Sequence, residues 1–128
     1  MRRSSDLFDR VRRLARGLPD VEEGTAWGAP ALKLQGRMLA CMATHRSAEP
    51  GTLVVCVDFG ARDELIAADP ETYYLREHYV HYPSVLVRLA SVRDDALRDL
   101  LLMACRFAVA RGPLRSATGA RRRPRGTR

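Results

Sequence analysis

Apolar residues near the start of the chain recur at four- and three-residue steps. Leu7, Val11, Leu14 and Leu18 thus share one face of a helix predicted over Ser5 to Gly17. Ser5 is a candidate N-cap, Asp6 suits the positive helix start, and Gly17 before Leu18-Pro19 ends the segment. The opposite face carries Asp9, Arg12, Arg13 and Arg16, either a solvated surface or a phosphate-contacting one. Leu18 to Gly24 reads as a loop, and Thr25 to Gly28 as a short extended piece bounded by glycines. The period then changes to two: Leu32 and Leu34 alternate with Lys33 and Gln35. Gly36-Arg37 is the predicted tip of a tight hairpin into Met38–Ala43. After a polar loop from His45 to Gly51, Leu53–Val57 is an unbroken apolar run, suited to a central strand buried on both faces.

Asp58 is placed to cap a short helix through Ala68, with Leu65 inward and Asp69-Pro70 closing it. Thr72–Leu75 is a further short strand, and Glu77–Pro83 an aromatic loop. Ser84–Leu89 alternates again, with Val85, Val87 and Leu89 inward and Arg88 on the other face. Asp94 or Asp95 caps a last helix through Ala110. Its apolar positions Leu97, Leu100, Leu101, Ala104, Phe107 and Ala108 span a wide arc, which Leu102 and Met103 extend. Such a helix is either deeply buried or partly covered by a protein partner, a homodimer through this helix being one form. The pattern predicts an antiparallel meander flanked by helices over residues 1–110. Residues 111–128 hold one large apolar side chain, Leu114, and are expected to be a disordered tail.

Composition fits one globular domain: 128 residues, 46% apolar and 29% charged. No apolar stretch approaches the ~20 residues of a membrane span, and the N-terminus lacks an apolar signal region, so a cytoplasmic protein is expected. Cys41, Cys56 and Cys105 lie inside apolar runs, as small buried hydrophobes in a reducing compartment do. Charge changes the picture more. The formal net charge is +7, yet residues 1–110 hold 15 basic and 15 acidic side chains. The seven arginines after Ala110, among them Arg121, Arg122, Arg123 and Arg125, carry the whole excess. The sequence pI of about 10.1 therefore describes the tail, not the fold.

Few residues suggest reaction chemistry. His78 and His81 have an H-x-x-H spacing, but a metal site needs three or four ligands, and His45 is remote in sequence. A structural loop is the simpler reading, and neither metal nor cofactor is expected. Asp58-Phe59-Gly60 spells the kinase magnesium triplet without the other kinase elements. No nucleophile elbow and no phosphate-binding glycine loop occurs, so the protein reads as a binder rather than an enzyme. Trp27, Tyr73, Tyr74, Tyr79 and Tyr82 offer stacking surfaces worth ~1–3 kcal/mol per docked base, or else are core. Lys33, Arg37 and Arg88 sit on the polar sides of strands or at a hairpin tip, where long cations reach phosphates. The alternative for Arg88 is an ion pair with a carboxylate such as Glu77.

The order of these pieces resembles the MmcQ/YjbR family over roughly Leu7 to Ala110. The most specific stretches are Glu23 to Lys33 (E-x-x-x-x-W-G-x-P-x-L-K) and His78 to Leu89 (H-Y-x-x-Y-P-x-V-x-V-R-L). The resemblance implies a single-domain α+β fold, an antiparallel sheet with helices packed against it, similar to frataxin-like and secretion-chaperone-like architectures. It also implies DNA binding through β-hairpin wings. On this sequence the wings fall at Lys33, Arg37 and Arg88. The tail arginines, outside the resemblance, are independent candidates for further phosphate contacts, and Trp27, His78, Tyr79 and Tyr82 are a candidate aromatic surface. Ser84 stands where family members often carry a bulky aromatic, which implies a surface of different shape. The other expectation is a protein-interaction or small-ligand domain without DNA binding of its own.

Overall fold

Six short strands form one antiparallel sheet in the computed structural model, which describes residues 4–111. The expected tail, with Arg121, Arg122, Arg123 and Arg125, lies outside the described residues. The strands are β1 (Val21–Ala26), β2 (Ala29–Leu34), β3 (Arg37–Met42), β4 (Thr52–Cys56), β5 (Tyr73–Tyr74) and β6 (Ser84–Arg88). Their spatial order is β1-β2-β3-β4-β6-β5. Three helices, α1 (Ser4–Ala15), α2 (Phe59–Ala68) and α3 (Asp94–Ala110), complete an α+β domain. No helix among the described residues is long and apolar enough to cross a membrane.

Two hairpins reverse on positive-φ pairs. Trp27 and Gly28 (φ 51° and 78°) join β1 to β2, and Gln35 and Gly36 (51° and 81°) join β2 to β3. Two left-handed residues in succession match the right-handed twist of the flanking strands. The second tip thus falls one residue before the predicted Gly36-Arg37. The first claims Trp27-Gly28, which the sequence pattern assigns to an extended piece. β1 itself occupies much of the segment that reads as a loop. It is a sheet edge with Glu22 to Thr25 exposed, so it shows no apolar alternation and is held by its register with β2 from Val21↔Leu34 to Ala26↔Ala29.

The core lies between the sheet and the layer of α1 and α3. Leu97, Leu100, Leu101, Ala104 and Ala108 of α3 are buried against it, together with Leu53, Val55, Val85 and Val87 from the central strands. A register shift between Leu32 and Lys33 makes Leu39 an extra residue on β3, and Leu39 and Ala40 both join this core. Leu102 and Met103 pack against its margin, so the breadth of the apolar arc is largely used within the chain. On α1 the buried stripe is Phe8, Val11 and Ala15, continued by Leu18, with Leu7 and Leu14 only partly covered. The helix is rotated by about one residue from the predicted face. Leu7-Phe8 and Leu14-Ala15 satisfy the same spacing at both settings, and the larger aromatic takes the interior.

Polar contacts fix the ends. Arg10 of α1 donates to Asp94 at the start of α3 and to the carbonyls of Leu89 and Val92. Arg12 pairs with Asp9 and Glu23, so it is compensated within the fold. Asp58 caps α2 by accepting from the Ala61 N–H at 2.7 Å, as expected. Arg93, not an aspartate, occupies the N-cap position of α3. Asp94 and Asp95 stand in the first turn, where they face the positive helix end.

Candidate binding cavity on the open face of the sheet

The sheet face turned away from α1 and α3 carries a second, smaller cluster. Ala31, Cys41, Val54 and Leu86 project from β2, β3, β4 and β6, joined by Tyr74 and Tyr79. Among the described residues no helix layer covers them; the chain from Thr44 to Glu49 and from Leu75 to Pro83 folds over part of this face. These segments leave a cavity of about 550 Å³. Its floor is Cys41, Val54, Cys56 and Ser84, its wall His45, His78 and Tyr79, and its mouth includes Trp27, Tyr82 and Arg111. The volume is in the range of small-molecule sites.

The wall is ordered by ring contacts. His45 and His78 stack with centroids 3.6 Å apart and planes 9° from parallel. Tyr79 meets His78 edge-on at 4.9 Å. The Ser47 N–H donates to His45 Nδ1 at 3.1 Å, and the Ser47 hydroxyl lies 2.7 Å from the same nitrogen. Loss of hydration, then the neighbouring His78 and Arg46, hold the His45 pKa below its ordinary value. His45, far away in sequence, is thus the partner of His78, whereas His81 does not line the cavity. Among the described residues no group of three or more His, Cys, Asp or Glu side chains is placed to hold a metal ion.

The floor is closed and partly polar. Ser84 is 3% exposed, and its Oγ has no hydrogen-bond partner among the described residues. Burial pushes the Cys41 and Cys56 thiols up to about 11, so both are protonated at neutral pH and poor nucleophiles. Arg111 and Arg37 oppose the rise at Cys56, which places positive potential at that end of the cavity. Ser84 is the register partner of Cys56 across β4 and β6, and so belongs to the same end. Among the described residues no acidic side chain lines the cavity.

Beside the cavity the open face is fastened by a polar clamp. Arg88 donates to both carboxylate oxygens of Glu49 at 2.9 and 2.8 Å, and to the carbonyls of Pro70 and Glu71. Its guanidinium lies 4.2 Å from the centroid of Tyr74, and Arg76 approaches the same ring and the same carboxylate. The Tyr74 hydroxyl lies 2.5 Å from the Thr52 hydroxyl and accepts from the Glu49 N–H at 2.8 Å. The hydrogen bond from Arg88 holds the Glu49 carboxyl below its ordinary range.

The structure brings the aromatic set Trp27, His78, Tyr79 and Tyr82 to one cavity. The cationic set is dispersed. Arg88 is engaged in the clamp, with Glu49 rather than Glu77 as its carboxylate. Lys33 is half-buried on β2, with Glu22 directly opposite on β1. Arg37 opens β3 and is half-buried. Tyr73 and Tyr74 are core, one on each side of the sheet. Sequence reasoning missed Ser84, His45, Cys56 and Arg111 as site residues. For the floor a signal existed: Cys41, Val54, Cys56 and Ser84 share a strand face by period two, but the inward valines and leucines between them mask it.

These features define a class: an antiparallel α+β domain with one helix-covered sheet face and one open face that holds a ring-lined cavity. The chain belongs to the YjbR family, whose model matches residues 16–106. It is 30% identical to the uncharacterized protein Mb2600 of Mycobacterium bovis, over 73% of this chain and 81% of that protein. The same identity and coverage hold for the uncharacterized protein Rv2570 of Mycobacterium tuberculosis. Among solved structures, the Deinococcus radiodurans protein DR2400, with a DUF419 domain, superposes with a TM-score of 0.65. The match has 24% identity and covers 85% of this chain and 82% of that one, a likeness of fold.

Proposed function

We propose that this protein is a small-ligand-binding domain that works without turnover, and that the open-face cavity is its site. The observation that carries this is the ring-lined cavity of about 550 Å³ on the open face, at whose mouth the large rings of Trp27 and Tyr82 stay exposed. Binding rather than catalysis is supported by the cavity thiols, which are protonated at neutral pH and so poor nucleophiles. Amide NMR spectra recorded with a panel of one- and two-ring compounds test the proposal. Shifts should concentrate at Cys41, Cys56, Ser84 and the Trp27 indole. A panel that leaves all four unmoved at millimolar concentration overturns it.

DNA binding is the second reading, and the distribution of charge favours it: all of the +7 excess lies after Ala110. On this reading the tail arginines neutralise phosphates and affinity falls steeply with salt. Gel-shift titration of the full chain against a chain ending at Arg111 separates the tail from the hairpins carrying Lys33 and Arg37. Binding that survives truncation locates contacts on the fold. No shift by either chain at low salt removes the reading.

A further inference from the structure

Resting on the ligand-binding reading, we infer that the cavity selects a planar aromatic carboxylate, its ring against Trp27 and Tyr82 and its carboxylate on Arg111 at the same mouth. Three independent observations converge on this chemistry. First, charge: among the described residues the lining holds one arginine, two histidines and no acid, so an anion enters without repulsion and a cation does not. Second, a reachable cation: Arg111 is exposed and lines the same cavity as the two exposed rings. A guanidinium presents paired N–H donors to the two oxygens of a carboxylate. Third, ring surface: Trp27 and Tyr82 are 76% and 58% exposed at the mouth. Exposed rings of this size gain about 25 cal/mol for each Å² that another apolar surface covers. Met38, Ala43 and Pro83 add apolar walls to the cavity.

Calorimetry of the full chain with naphthoate, naphthamide and naphthylmethylammonium tests the inference, with the Trp27 indole N–H followed by NMR to locate the site. The three probes share a ring and differ in charge. The carboxylate should bind about ten-fold or more tighter than the amide, and the ammonium weakest, since a hydrogen bond to a charged group is worth about 1.5–3 kcal/mol. Arg111→Gln should remove most of that ten-fold preference while leaving amide binding within about two-fold; Arg111→Lys should keep part of it. Arg111 is exposed at a helix end, so neither change threatens the fold. If the amide binds as tightly as the carboxylate, or Arg111→Gln leaves the preference intact, the charge selection is wrong and the ligand-binding reading stands. If no probe moves the Trp27 signal, both fall together.

Discussion

The two faces of one sheet are built from the same strands and solve opposite problems. On the helix side, α1 and α3 cover a continuous apolar layer in which Val11, Leu53, Val55, Val85, Val87 and Leu97 reach 0% exposure. On the open side six buried residues form a shallow cluster, and the remainder is rings, thiols, a hydroxyl and the Arg88–Glu49 clamp. The first face is matched to itself and leaves nothing for a ligand to improve. The second retains exposed rings and an unmatched hydroxyl. Stability and recognition are therefore separable along single strands: alternate residues of β4 and β6 serve one or the other.

This separation can be broken in four ways, in decreasing order of effect. Leu97→Ala opens a hole in the helix-side layer and should cost about 2–5 kcal/mol in denaturant unfolding, without altering which probes the cavity takes. Loss of ligand selectivity in the still-folded variant would show that the faces are coupled. Arg88→Ala cuts the clamp and should cost about 1–2 kcal/mol, the low end for charged hydrogen bonds because the pair is partly exposed. The clamp also has an acid limit. Glu49 titrates lower in the folded than in the unfolded protein, so its contribution is complete above its ordinary 4.5 and is lost as pH falls below that value. In Arg88→Ala this part of the acid-induced fall in melting temperature should shrink.

Ser84→Ala should behave in the opposite sense. Removing a buried hydroxyl that has no partner among the described residues should leave stability unchanged or raise it by about 0.5–1 kcal/mol. A clear loss of stability would mean the hydroxyl has a structural role. The smallest effect belongs to His45. Its folded-state pKa is depressed, so the neutral stack is complete above the ordinary 6.5 and loses stability as pH falls below it. NMR titration should place His45 below 6.5; a midpoint above that value contradicts the stack as drawn.

The helix-side layer was largely legible in the sequence, because alternation in Ser84–Leu89 and helical spacing in α3 report directly on a single buried face. Where two settings satisfied one spacing, as at Leu7-Phe8, the pattern alone chose the smaller neighbour. β1 was illegible because an exposed edge strand carries no apolar alternation. The cavity was half legible. Its rings could be named, since Trp27, His78, Tyr79 and Tyr82 are the kinds of residue that stack. Their convergence with His45 and Ser84 depends on how two loops fold over the sheet, which no local period encodes. Arg88 reads as an available cation until Glu49, 39 residues away, is seen beside it.

Trp27 sits at φ 51° at the tip of the first hairpin, in a conformation that costs an L-residue roughly 1–2 kcal/mol. Glycine or asparagine would fill that turn with less strain. Selection for stability alone would therefore drift this position away from tryptophan. A chain evolved only for heat resistance should lose the ring first, and its mouth would widen before its core changed. Tryptophan at this corner is thus a running expense, and a lineage that no longer needed the cavity would shed it.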